Sequence, residues 1–207
     1  FDDAVHRLNK DGRGTYLGKF AGEDKILTVT SKGFYKLYTY DVLNHFDEDT
    51  VLIEKYYPEQ PLTCIYYDGE SKSYITKRFN PEQTSTKTLI ITEHENSRIE
   101  LITSQILPII DIKFGKEKDK EIADETVNLV EFSPMVNMKA KGKKLTSYKV
   151  KEINLRVSEE IEMEDFSEED EQIGDNGMSP MELHRRAMEK LDPNNFKGKD
   201  GQINFEF

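Results

Sequence analysis

The chain has 207 residues, of which 33% are charged, and a formal net charge of -11. That length suits one generous domain or two small ones, and no apolar run approaches the roughly eighteen residues a membrane span needs, so no membrane partner is expected. The single cysteine, Cys64, excludes an internal disulfide; in the apolar run LTCIYY it reads as a small core residue in a reducing compartment, and a cytoplasmic location is expected.

The acidity is not evenly spread. Residues 1–157 hold 25 acidic and 24 basic side chains, whereas residues 158–207 hold 15 and 5. The first part is therefore nearly neutral, and its charge pattern can be read separately. The sequence opens on Phe1 with no basic-then-apolar leader, which reads as a piece of a longer chain.

Strand patterns dominate residues 1–157. DKILTVTSKGFYKLYTY (24–40) is an apolar run, a Ser-Lys-Gly turn and a second β-rich run, the signature of a hairpin. LTCIYYDGESKSYITKRF (62–79) repeats the plan around Asp68-Gly69. KTLIITEHENSRIELIT (87–103) reads as a third hairpin around a polar tip. ILPIIDIKF (106–114) and TVNLVEF (126–132) read as single strands. No sustained 3.6-residue period occurs before Ser179, so the expectation is an all-β body of antiparallel hairpins. Runs such as KILTVT and TLIIT are apolar on both faces, which suits sheets covered on both sides, as in propeller blades or a sandwich interior. Hairpins recurring every forty to fifty residues or so favour blades.

KAKGKKLTSYKVKEI (139–153) concentrates positive charge. Tyr148 and Val150 alternate with Lys149 and Lys151; after Glu152 the phase slips by one, and Ile153, Leu155 and Val157 continue the apolar row. One slipped residue in an alternating strand predicts a β-bulge, which leaves Lys149, Lys151 and Arg156 on one polar face. Lys139, Lys141, Lys143 and Lys144 fall in the Gly142-containing turn that leads into that strand. Between residues 134 and 157 seven bases face one acid, Glu152. Such a run fits a phosphate backbone, although lysines also protect edge strands from pairing. Lys77 and Arg78 close the second hairpin, and Lys32 and Lys36 flank the first turn; all four are further candidate phosphate contacts. Lys113, Lys116, Lys118 and Lys120 alternate with acids and read as a solvated loop.

Beyond residue 157 the composition changes. SEEIEMEDFSEEDEQIGDNG (158–177) is too charged and too poor in apolar residues to pack, and is expected to be a disordered acidic linker. MSPMELHRRAMEKLD (178–192) predicts a short amphipathic helix, with Ser179 as cap, Pro180 in the first turn and Met181, His184, Met188 and Leu191 on one stripe. Residues 193–207 read as a flexible end. The acids from Glu159 to Glu171 follow directly on the basic strand, where they either compete with phosphate for its lysines or serve only as a solubilising tail.

The basic stretch resembles the closing blade of the C-terminal domain in the A subunit of bacterial topoisomerase IV, where a basic, glycine-containing turn precedes a Tyr-Lys-Val-Lys strand. EDKILTVTSKGFYKLYTYDV similarly resembles the blade hairpin shared with the A subunit of DNA gyrase, while GRGTYLGKFAGEDKIL and YITKRF fit the same family. The resemblance covers residues 1–157. It implies a β-pinwheel of propeller-like blades whose basic rim binds or bends duplex DNA and presents it for strand passage. It also implies two partners, an ATPase B subunit plus the remainder of the A subunit, with ATP and Mg2+ used by the parent enzyme. Nothing matches the long glutamine-, arginine- and glycine-rich box of gyrase, so decatenation and relaxation are the expected activities. Some 157 residues suffice for about three blades, fewer than the family's five or six, so the chain is expected to start inside the domain.

No chemistry of its own is expected. In that family the cleaving tyrosine follows an arginine, and none of the seven arginines here precedes one. No P-loop motif occurs, and His6, His45, His94 and His184 lack ligand spacing. No cofactor is therefore expected in this chain. The alternative from another class is an all-β protein-interaction module whose lysines only solvate it.

Overall fold

The computed structural model describes residues 1–116 and 122–156. These all lie within a single unit of the chain. The expectations for Lys118 and Lys120, the acidic linker at 158–177, the helix at 178–192 and the segment 193–207 lie outside the described residues.

Three antiparallel sheets build the unit. β1 (Ile26–Thr30) is buried along its whole length, while β2 (Phe34–Tyr38) alternates, sending Tyr35 and Leu37 inward. Their turn depends on Gly33, whose φ of 79° lets its amide donate to the Thr30 carbonyl at 2.8 Å. A side chain there would also meet Ile91. β3 (Thr50–Lys55) joins the free edge of β1. Its mixed TVLIEK pattern gave no clear strand signal in the sequence.

β4 (Leu62–Asp68) and β5 (Ser73–Phe79) form the hairpin expected around Asp68-Gly69, paired from Leu62–Phe79 to Asp68–Ser73. β4 is covered on both faces. Cys64 and Tyr66 join a core with Leu27, Tyr35, Phe79 and Met138, whereas Ile65 packs with Ile110, Ile112 and Leu145. Each such buried aliphatic side chain contributes about 1.5–3 kcal/mol, so the two-sided apolar run is what seats this sheet between two others.

The expected hairpin at 87–103 does not form. Its first half supplies β6 (Thr88–Leu89), which pairs with β2; its second half supplies β7 (Arg98–Thr103), which pairs with β4. The segment is a crossover between sheets. Ile90 and Ile91 are both buried, and consecutive apolar residues fill the space between two sheets better than they pair with a strand of their own.

β8 (Ile109–Phe114) pairs with β9 (Glu125–Asn128), and the chain then turns into α1 (Leu129–Phe132). The strand expected across 126–132 is thus cut short. The cause is local: Asn128 Oδ1 accepts from the Val130 amide at 3.0 Å, capping a single helical turn. β10 (Lys143–Lys144) adds to the edge of β5, and β11 (Val150–Leu155) to the edge of β8. The resulting sheet orders are β3-β1-β2-β6, β10-β5-β4-β7 and β11-β8-β9. The register of β11 shifts between Val150 and Glu152, leaving Lys151 as the extra residue of a bulge. Among the described residues no helix is long and apolar enough to cross a membrane.

Candidate nucleic-acid interface

The basic stretch is divided between two sheets. Lys143 and Lys144 are not turn residues but the short β10, bound to Thr76 and Ile75 of β5, while Lys149 leads into β11 beside β8 and Lys151 lies within it. Gly142 makes the division possible. Its φ is 98°, and a Cβ there would lie 2.5 Å from the Thr76 carbonyl oxygen and 2.9 Å from Lys77 Cβ. Only glycine brings the chain this close to β5.

Several of the expected contacts are occupied within the protein. Lys77 and Arg78 are corrected outright: they are buried at 1% and 7% exposure. The Lys77 ammonium donates to the Met138 and Ala140 carbonyls, and Arg78 donates to Thr63 Oγ1 at 3.3 Å and the Ile106 carbonyl at 3.4 Å. Burial lowers the pKa of both. The strand pattern YITKRF puts them on the sheet faces between neighbouring sheets, where no phosphate reaches.

Lys141 is half-exposed but tied by its Nζ to the buried Asp68 carboxylate at 2.7 Å. Burial pushes Asp68 up, but hydrogen bonds from Lys141, Ser71 Oγ and the Glu70 amide outweigh it and hold the carboxyl below its ordinary value. Arg156 makes a two-pronged pair with Asp111, both contacts at 2.8 Å. Lys143 sits 4.0 Å above the Phe132 ring and donates to the Phe132 carbonyl at 3.2 Å. In the first sheet, Lys36 lies 4.0 Å above the Tyr38 ring, and Lys32 is exposed at the β1–β2 turn. Lys139 is exposed beside Asn137, whose Oδ1 accepts its backbone amide at 2.8 Å.

Where the ends of the second and third sheets meet, they enclose an open groove of about 840 Å³. Its cations are Lys72, Arg98, Lys116, Lys144 and Lys149, and no carboxylate lines it among the described residues. Each comes from a different element end. Lys72 holds the left-handed position of the β4–β5 turn at φ 50°, Arg98 opens β7, Lys116 follows β8, and Lys144 and Lys149 bracket the link from β10 to β11. Arg98 also pairs with Glu100 at 2.7 Å and covers the Tyr67 ring at 4.8 Å. Tyr67, Tyr74 and Tyr148 supply aromatic surface to the same groove. Of the sequence candidates for DNA contact only Lys144 and Lys149 line it. Lys151 stands beside Lys116 in an adjoining recess. Lys72 and Arg98 gave no signal in the sequence, each being an isolated base near acids.

Packed antiparallel sheets with five cations gathered at strand ends and turns around one groove make an all-β domain of blade-like sheets. Residues 7–157 match the topoisomerase C-terminal domain of Bacteroidota, and the chain belongs to that family. By family it is a C-terminal accessory domain of a topoisomerase. It is also similar to the solved C-terminal domain of DNA topoisomerase IV, at 15% identity and a TM-score of 0.44, over 66% of this chain and 48% of that one. The chain thus spans about half the length of that structure. No curated protein matches it.

Proposed function

We propose that this chain is a β-pinwheel, the non-catalytic DNA-binding and DNA-bending domain of a type IIA topoisomerase A subunit. It presents duplex DNA for strand passage during decatenation and relaxation. In this reading the breakage tyrosine, the nucleotide site and the Mg2+ chemistry belong to an ATPase B subunit or to the rest of the A subunit. The observation that carries it is the groove lined by five cations and, among the described residues, by no carboxylate. Cations gathered in one groove raise the local potential and hold phosphates through counterion release, which is indifferent to base sequence; Arg98 shares its charge with Glu100, so the effect falls mainly to the lysines. Buried or ion-paired bases such as Lys77, Lys141 and Arg156 contribute little to that effect. Lys72, Lys144 and Lys149 contribute most, with Lys139 and Lys151 extending the surface.

The test is duplex binding by fluorescence anisotropy across a salt series. About four phosphate contacts give a slope of log K against log salt of roughly -3.5. Replacing Lys72, Lys144 and Lys149 together with alanine is expected to flatten it by about 2 to 3 units. A slope unmoved by the triple replacement would remove the groove from the interface, and no binding at low salt would favour a protein-interaction module.

A further inference from the structure

The groove is more than a charged surface. Its rings are held in place. Tyr148 is 45% exposed, its ring set edge-on against Phe114 with centroids 5.6 Å apart. Its backbone amide donates to Thr146 Oγ1 at 3.2 Å. On the opposite wall Tyr67 is fixed by Tyr74, at 5.4 Å between centroids, and by the Arg98 guanidinium over its face. Lys149 follows Tyr148 directly, while Lys144 on β10 and Lys72 in the β4–β5 turn belong to the sheet of Tyr67 and Tyr74.

A duplex has no use for such rings. It shows phosphates and base edges, and its base faces are closed within the stack. An unpaired strand offers both a line of phosphates and open aromatic faces, and a positive groove with fixed aromatic rings is what binds it without regard to sequence. Size argues the same way. About 840 Å³ lies within the range of clefts of about 300–1,000 Å³ that enclose ligands of small-molecule size. A few nucleotides of one strand fit inside, while a duplex can only lie across the mouth.

We propose that this groove takes an unpaired stretch of DNA, with phosphates on Lys72, Lys144 and Lys149 and a base stacked on Tyr148. The inference rests on the reading that this domain binds DNA, and it specifies the state of the DNA held in the groove. A strand opened by bending or by negative supercoiling would then enter the groove and take these lysines from the duplex phosphates at its mouth.

The experiment compares, for the full chain, a single-stranded oligonucleotide of about twelve nucleotides, within the ordinary site sizes of about 4–16, with a hairpin-closed duplex of matched length. Tighter binding of the single strand per phosphate is expected. Tyr148→Ala is expected to weaken single-strand binding at least about fivefold and duplex binding less than about twofold, as the loss of one base stack predicts. Tyr148→Phe keeps the stacking surface and should restore single-strand binding. Circular dichroism and a urea midpoint check that the variants are folded. Duplex bound as tightly as single strand, with Tyr148→Ala shifting both equally or neither, would overturn the inference and leave the proposed function standing. Failure to bind either DNA would overturn both.

Discussion

The Lys77 ammonium donates to the Met138 carbonyl at 2.6 Å and, with a second proton, to the Ala140 carbonyl at 3.0 Å. A side chain of β5 thus holds, across about sixty residues of sequence, the loop that carries Lys139 and Lys141 and delivers β10 to its edge. The ammonium is buried, with Cys64 close by and the Phe79 ring 5.0 Å away. Burial pushes the Cys64 thiol up to about 12, so the cysteine is inert there. Hydrogen bonds from a charged donor are worth about 1.5–3 kcal/mol each.

Lys77→Met keeps most of the volume and removes both donors. A loss of about 2–4 kcal/mol in urea unfolding is expected, with weaker DNA binding as a consequence of the loosened loop. A surface phosphate contact would behave in the opposite way, losing affinity with no change in stability. An unchanged urea midpoint would therefore contradict the clamp.

Lys141 and Lys144 separate the two roles within one short segment. Lys141 is committed to Asp68, whereas Lys144 lines the groove. Lys144→Ala is expected to flatten the salt slope of DNA binding by about 0.9, the value of one phosphate contact. Lys141→Ala should change that slope far less but lower the urea midpoint, because Asp68 loses the cation that offsets its burial. Reversed outcomes for the two variants would mean that the ion pair opens when DNA binds.

How much of this was legible in the sequence depended on the distance between partners. The β1–β2 and β4–β5 hairpins could be read because each turn signal, Gly33 or Asp68-Gly69, lies between the two runs it joins. A bulge in this strand also showed, as a slip in a two-residue period after Glu152, one residue beyond the Lys151 at which the register shifts. The run at 87–103 misled because pattern locates strands but does not name their partners, and its halves pair with β2 and β4 instead of each other. Lys77 and Arg78 misled for a related reason. Their charge suggests solvent, and the carbonyls that satisfy Lys77 belong to Met138 and Ala140. The groove was half visible. Lys144 and Lys149 sit in the basic stretch, but Lys72, Arg98 and Lys116 join them only after three separate elements have packed.

Gly142 supports that convergence by letting the chain approach β5. Gly142→Ala forces a side chain into φ 98° and against the Thr76 carbonyl oxygen. A cost of about 1–3 kcal/mol is expected from the backbone conformation alone, read as a lower urea midpoint at unchanged m-value. Gly115→Ala is the control. A Cβ there would lie 3.6 Å from the nearest atom, the Lys149 carbonyl oxygen, with no left-handed φ, so stability should hold or rise by about 0.4–1 kcal/mol. Equal losses at both glycines would mean that neither the left-handed φ nor the contact with Thr76 sets the cost.

The pairing of β8 with β11 ends in a charge contact that pH can address. Asp111 accepts two hydrogen bonds from the Arg156 guanidinium and one from Thr126 Oγ1 at 2.6 Å. Arg156 and then Thr126 hold its carboxyl at about 2, below the ordinary 3.8. The folded chain therefore releases this proton more readily than the unfolded one. Its stabilising contribution is complete above about 3.8, declines as pH falls from there towards about 2, and is absent below. Asp111→Asn removes the ionised form at every pH. The gap between the urea midpoints of the parent and the variant should thus stay constant above pH 4 or so, then close towards pH 2 or so. It should also narrow in high salt, since the pair is exposed. A gap that widens on acidification would show that Asp111 is held protonated in the fold, and that Arg156 is left available for phosphate.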